Sequence, residues 1–547
     1  MLRRLKNQRG FATLIALIMM GMLMLIGVAA ISTTDDEVTV AGNELQEMRA
    51  FYAAEAGLEA AAAALQQEYD STGVPPVIMP SGSDSLNHCA VTYSTSNGGP
   101  AIQRVLSVGS LAGLHALVKT FNLTSTAESD FDKAKVSLTQ SFETALVPIF
   151  QFAVFYGNDL EIAPGPDMTL IGRVHSNGNL WVQANSTLRM DSYVTASGEI
   201  IHGRKGPGGV GSGDVLIKDA DGNYVSMQAG SDWVDHSHAD WYDSSISRWD
   251  GRVQDQAHGQ GELNLPLTNS DNPHAMIERG TGNPDSYEHK ADLRIVDGRA
   301  YRFMEDNTWQ DVTANMVADG VLTYTTNQFW DDREDQWVDC TELDIEAMYD
   351  HGYAPRNGVM YFSDSSSSSS EWPALRVKNG AELDDGLAIA SENPLYTLGD
   401  FNSVDKKPAS IMADAVTFLS NNWQSNGYDS LGSWNKSNRP ADETTVNASY
   451  LTGNVETTDS HYNGGFENLP RFLEVWSGRA FNWSGSAVNL WNSQQANANW
   501  HGGYYSPPIR NWTYDTDLDD PNKLPPETPV VRVFQRTGWK QEYVSFD

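Results

Sequence analysis

No charged residue interrupts the chain between Phe11 and Ile31, and nearly every position in that run is apolar. Wound as a helix it spans about 31 Å, the thickness of a bilayer core. Arg3, Arg4, Lys6 and Arg9 precede it, so the positive-inside rule places the N-terminus in the cytoplasm and the rest of the chain across the membrane. From Glu44 to Tyr69 the pattern becomes amphipathic. Leu45, Met48, Tyr52, Glu55, Leu58, Ala62 and Leu65 recur at intervals of three and four among strong helix formers, and Gly73, Pro75 and Pro76 supply a stop. The spacing predicts one helix over 11–70, with 11–31 transmembrane, reaching about 88 Å from Phe11 to Tyr69. An ordinary secretory signal has a shorter apolar core followed by a small-residue cleavage site.

From His88 to Phe150 the period changes to two, with turn-prone stretches such as NGG between the runs. That pattern predicts an antiparallel meander over 71–150, in two-layer packing with the helix. Between Asn158 and Ile201 short apolar pulses follow every eight to ten residues, each bounded by Gly, Asn, Asp or Ser, and the rhythm returns over 375–402. Regular short strands fit a stacked β-solenoid or a sandwich, and we read 151–202 as solenoid-like. GRKGPGGVGSGD at 203–214 reads as a loop and Ser365–Ser370 as a polar run. Residues 203–370 then form an insertion, and 371–547 a tryptophan-rich β region. The expected class is α+β, a long helix with an antiparallel meander followed by a large, mainly β distal region.

At 547 residues the chain exceeds what one core usually organises. It carries 71 Asp and Glu against 36 Lys and Arg, a balance that repels phosphate backbones, so no nucleic-acid partner is expected. With 40% hydrophobic and 10% aromatic residues it is too rich in core formers to be a disordered acidic chain. Cys89 and Cys340 are the only cysteines. They exclude a disulfide-dense scaffold and a four-cysteine metal site, and allow one disulfide at most. All 16 tryptophans lie at or beyond Trp181, with clusters at Trp233, Trp241 and Trp249 and again at Trp476, Trp483, Trp491, Trp500 and Trp512. Flat aromatic faces serve sugar stacking or partner binding, and equally the packing of a loop-rich β core.

Candidate chemistry is sparse. Asp235, His236, His238 and Asp240 mix transition-metal ligand types, and His236, His238 and Asp240 would share one face of a strand, but no further histidine follows at a ligand spacing, which favours a polar loop. Asp219 and Asp221 in DADGN resemble the opening of a calcium loop, but Gly230 stands where the closing glutamate belongs, so a hairpin turn is the better reading. No cofactor and no metal is expected, with calcium left open. Asp384, Asp385, Asp400 and Asp414 supply carboxylates of the kind glycoside cleavage needs, without a visible separation. No nucleophile elbow, phosphate loop or HExxH occurs, and the chain is not expected to be an enzyme.

The junction RGFATLIALIMMGMLMLIGVAAISTTDDEVTVAGN, followed by AFYAAEAGLEAA, resembles the type III signal of type IV pilins and, over about residues 9–65, the N-terminal segment of PilX-type minor pilins. The resemblance implies cleavage by a prepilin peptidase between Gly10 and Phe11, with residues 1–10 as leader, and methylation of Phe11. It implies packing of Phe11, Ile15, Leu17 and Leu25 against other pilin helices in a filament. Glu55 matches a family motif and also suits a helix-surface pair. Most pilins carry a glutamate at the fifth mature residue, where it is thought to pair with a neighbour's N-terminal amine; this chain has Ile15 there. A subunit without that carboxylate adds poorly beneath another but loses little as the first one in. The implied role is a minor pilin that primes assembly and sits at or near the tip, displaying a β-rich body for adhesion. Its implied partners are major and minor pilins, the peptidase and a large tip adhesin. The implied location is the inner membrane before assembly and the cell-surface pilus afterwards. A type II secretion minor pseudopilin and a membrane-anchored carbohydrate-binding or carbohydrate-cleaving protein are the alternatives.

Overall fold

The computed structural model describes residues 8–107, 109–131, 134–267, 272–280, 282–366, 372–431, 438–501 and 503–543. Residues 1–7 of the expected leader and Ser367–Ser370 of the polar run lie outside them. One helix, Gln8–Thr72, passes through the apolar and the amphipathic halves without a break, and its 65 residues span about 98 Å. Thr33, Thr34 and Thr39 return their hydroxyls to the carbonyls of Ala29, Ala30 and Asp35, so the polar segment between the halves stays helical. Gly73, at φ 73°, donates its N–H to Tyr69 O and ends the helix.

The chain divides into two compact units, residues 1–102, 118–144 and 534–547 in one and 103–117 and 145–533 in the other. In the first, an antiparallel sheet runs in the order Ser81–Leu86, Cys89–Asn97, His115–Ser129, Lys135–Pro148 and Val530–Tyr543, with Ile102–Val105 beside His115–Ser129. The expected α+β meander is present, and the final strand of the whole chain returns to complete it. Residues 103–117 and 145–150, which the periodicity groups with the meander, cluster with the second unit instead.

The helix stripe agrees with the one the spacing predicts at Leu58, Ala62 and Leu65 and differs before them. Leu45, Met48 and Tyr52 are exposed, whereas Ala50, Ala53, Ala54, Leu58, Ala61, Ala62, Leu65 and Tyr69 are buried with Val91, Phe121, Leu123 and Leu138 of the sheet. Small residues win because they let the backbone lie close to the sheet. A Cβ at Gly57 would stand 2.2 Å from Ser125 Oγ and 2.7 Å from Val91 Cγ1.

The second unit is built on parallel ladders. Val154–Tyr156, Val174–Ser176 and Val194–Ala196 stack in register, as do Leu160–Ile162, Leu180–Val182 and Ile200–His202, and Met168–Leu170, Thr187–Met190 and Asp214–Lys218. Three faces recur with a coil of 20 residues, Val154 to Val174 to Val194, which is a three-sided solenoid. The apolar pulses are its inward residues, Leu160, Ile162, Leu180, Val182, Leu188 and Met190 among them. One corner carries a side-chain ladder. Asp159 Oδ1 accepts the N–H of Asn179 and Asn179 Oδ1 that of Glu199, each at 2.8 Å. Gly178 and Gly198 make room for it, since a Cβ there would lie 2.4 Å and 2.3 Å from those two oxygens.

Val359–Ser363, Leu387–Ser391, Ala409–Ala413, Ser449–Thr452 and Ala487–Asn489 extend the same parallel sheet, and Ala487–Asn489 pairs with Val154–Tyr156. The last coil therefore stacks on the first, and the chain enters its 12-stranded sheet in the middle. Residues 203–370 accordingly are not one insertion. Asp214–Lys218, Val253–Gln254 and Val359–Ser363 within that stretch are ladder members, and long excursions between them hide the rhythm. The tryptophan clusters mostly fill the core: Trp249, Trp423 and Trp476 are fully enclosed and Trp241, Trp483 and Trp491 nearly so. Among the described tryptophans only Trp309 and Trp539 are exposed.

Candidate functional site

The feature that sets this chain apart is the bare half of its helix. Phe11, Leu17 and Leu25 are 65–72% exposed and Ile15 43%. Around Gly21 and Gly27 no atom outside the helix approaches within 4 Å. Among the residues from Phe11 on, the first fully buried side chain is Ala50. A helix apolar on every side has no stable aqueous state, so lipid or other apolar helices must cover it. It is the single helix among the described residues that is long and apolar enough to cross a membrane, and it is compatible with an anchor. Gly10 and Phe11 lie inside the helix with no break between them. Glu55 is exposed on the amphipathic half.

The remaining candidate residues do not converge. Cys89 and Cys340 are free, buried thiols in separate cores, so the disulfide left open by the sequence is not made. Burial raises the Cys89 thiol and pushes Cys340 up to about 12, which leaves both protonated and unreactive near neutrality. Asp219 and Asp221 sit in the hairpin between Asp214–Lys218 and Tyr224–Ser226. The Asn223 N–H at 2.8 Å holds the Asp219 carboxyl below its ordinary range. The stretch 235–240 is a turned segment before the helix Trp241–Trp249, not a strand, so His236, His238 and Asp240 share no sheet face. Asp235 accepts from the N–H groups of His202 and Ser237, His236 faces Glu199 at 3.5 Å, and His238 Nδ1 accepts the Asp240 N–H. Among the described residues no group of three or more His, Cys, Asp or Glu is placed to share a metal ion.

Three of the four aspartates are spent on backbone. Asp414 is fully buried and takes the N–H groups of Gln494, Gln495 and Ala496. Asp400 takes that of Thr445, Asp385 that of Gly386, and Asp384 is exposed. The acidic groups with unusual chemistry lie elsewhere, and the sequence signals them only as single carboxylates beside apolar residues. Burial pushes Glu161 up to about 7, against hydrogen bonds from Tyr462 Oη and the Lys205 N–H, and also raises its neighbour Glu467.

Glu474 is wholly enclosed. Its two oxygens accept from Ser420 Oγ at 2.5 Å and Ser420 N at 2.7 Å, and burial still pushes it up to about 7. In the unfolded chain the group returns to its ordinary 4.5. Below that value both states hold the proton. Between 4.5 and about 7 only the native state holds it, so stability falls as pH rises, by about 3 kcal/mol in total. Glu474→Gln removes the titration. Thermal unfolding in detergent should show the variant gaining on the wild type as pH rises through this window. A constant difference would contradict the assignment.

No curated protein and no solved structure matches the chain. A family model does, over the helix alone, and it stops before the sheet and the solenoid. Residues 9–59 match the family described as PilX N-terminal, so this chain carries an N-terminal segment of the kind found in type IV pilus-related minor pilins in general.

Proposed function

We propose that the protein is a minor pilin that helps to start type IV pilus assembly and resides at or near the filament tip, where its β-rich body serves adhesion or partner binding. The observation that carries this reading is the uncovered, uncharged helix surface from Phe11 to Ile31, within a segment matching the PilX N-terminal family. Prepilin peptidase removes residues 1–10, Phe11 becomes the methylated N-terminus, and the surface carrying Ile15, Leu17 and Leu25 packs on neighbouring helices. Ile15 brings no carboxylate for the amine of an adjoining subunit, which suits the subunit that enters first. The body is structural and binding in character, without catalysis or a resident cofactor.

Mass spectrometry of the N-terminal peptide, from membranes and from filaments sheared off the surface, tests the reading. The expected result is a peptide beginning at methylated Phe11 in the sheared fraction, at low abundance relative to the major subunit. An intact leader confined to membranes would make the protein an anchored surface protein and sink the proposal.

A further inference from the structure

The seam where the last solenoid coil stacks on the first opens into a cleft of about 370 Å³, near the small end of the ~300–1,000 Å³ of ligand clefts. Asn158, Asn264, Asn272, Asn492 and Gln494 line it and are exposed. Beneath them Leu263, Leu265, Leu490 and Trp491 are buried. In a chain with 71 acidic and 36 basic residues, the described residues of this lining include no Asp, Glu, Lys or Arg. Its one ionisable group, His274, is occupied elsewhere, with Nδ1 2.7 Å from Glu278 and Nε2 3.5 Å from Asp414.

The amides are poised for a ligand. Asn272 and Gln494 each give an N–H to Glu278, at 3.4 Å and 3.3 Å, and their carbonyl oxygens have no partner among the described residues. Asn158 and Asn492 make no side-chain hydrogen bond to any described residue and retain both donor and acceptor. The wall is held in place beforehand. Asn177 clamps the backbone of Leu263 through its N–H (2.8 Å) and carbonyl (3.1 Å), and the Arg532 N–H bonds Asn264 O at 2.8 Å. An apolar ligand would strip water from five amides without return. A charged ligand would find no unpaired counter-charge among the described lining residues, since His274 and Glu278 already face each other. A group bearing several hydroxyls, each donor and acceptor, matches the amide rim.

We propose that this cleft binds a neutral saccharide of one or two rings. The proposal names the ligand class for the adhesive body, so its biological meaning rests on the pilin reading, while binding itself does not.

The test is calorimetric titration of the full-length chain, in a detergent without a sugar head group, with lactose, maltose, cellobiose and diacetylchitobiose, and with glucuronic acid and glucosamine as charged counterparts. At least one neutral disaccharide should bind with a Kd of about 1 mM or tighter. The double substitution Asn158→Ala with Asn492→Ala should weaken it by about tenfold or more, the loss of one or two hydrogen bonds. Its thermal midpoint should not change, since both side chains are exposed and unbonded. Absence of binding by all four neutral sugars, equal binding by the double variant, or tighter binding of a charged sugar would overturn the proposal. Sugar binding by a chain absent from sheared filaments would sink the pilin reading and leave the cleft intact, and a processed filament subunit that binds no sugar would do the reverse.

Discussion

Arg471→Met is expected to destabilise the distal body by about 3–5 kcal/mol, the usual cost of stranding one partner of a buried ion pair. Arg471 Nη1 lies 2.8 Å from Glu334 Oε1, and both side chains are enclosed. The arginine also bonds the Ala496 carbonyl at 2.6 Å, while its backbone joins Val416 and Phe418 at the end of the five-stranded sheet. Glu334 belongs to the turn of the hairpin Leu322–Asp331 and Gln336–Asp344, which opens that sheet at the other end. One interaction thus ties the first and last members of a solenoid wall. Without the arginine, Glu334 keeps only the Ala498 N–H at 3.0 Å as an outside donor among the described residues, and burial, which already raises its carboxyl, acts with less opposition. The double variant Arg471→Met with Glu334→Leu should recover much of the loss, because an apolar pair leaves no uncompensated charge. Chemical denaturation of the four proteins in one detergent supplies the cycle. A double variant as unstable as the sum of the singles would show that the pair does not act as a unit.

The parts of this structure that the sequence made legible are those where neighbours in the chain settle the outcome. The uncharged run after Gly10 and the Gly and Pro stop after Tyr69 bound a helix whatever lies around it. The pulses from Leu160 to Ile200 announce short strands because each coil repeats inward apolar positions and small corner residues at a fixed interval. What remained hidden depends on contacts across hundreds of residues. Nothing near Ala487 signals that it pairs with Val154, and nothing in Val530–Tyr543 signals a return to the first sheet. The stripe is legible from Leu58 through Ala62 and Leu65, but its start at Leu45, Met48 and Tyr52 is exposed, because Ala50, Ala53, Ala54 and Gly57 let the helix approach the sheet closely on the neighbouring face. The neutral cleft had no sequence signature either. Asn158, Asn264 and Asn492 lie far apart in the chain, and only the split stacking order brings them together.

Gly57→Leu should release the sheet from the helix. The position faces Ser125 and Val91 so closely that even a methyl group must displace one of them, with 2.2 Å to Ser125 Oγ and 2.7 Å to Val91 Cγ1. A leucine has no rotamer that avoids both, and the flanking Ala53, Ala54, Ala61 and Ala62 leave no slack along the face. Overpacking of this kind costs about 1–3 kcal/mol when surroundings can yield, and here they are two neighbouring strands held by a continuous antiparallel ladder between Cys89–Asn97 and His115–Ser129. The cost should lie at or beyond the upper end of that range. Gly57→Ala grades the effect. Ser125→Ala should soften it, because the nearest atom is a buried hydroxyl with no hydrogen-bond partner among the described residues, so its removal costs no such bond and frees the space. Hydrogen exchange of the strand amides reads the result: faster exchange in Gly57→Leu, an intermediate rate in Gly57→Ala, and partial return in Gly57→Ala with Ser125→Ala. The apolar half of the helix is untouched by these changes, so membrane insertion should persist while the sheet comes loose. Unchanged protection in Gly57→Leu would mean that the helix does not lie against the sheet as described, and that the alanine face serves another purpose.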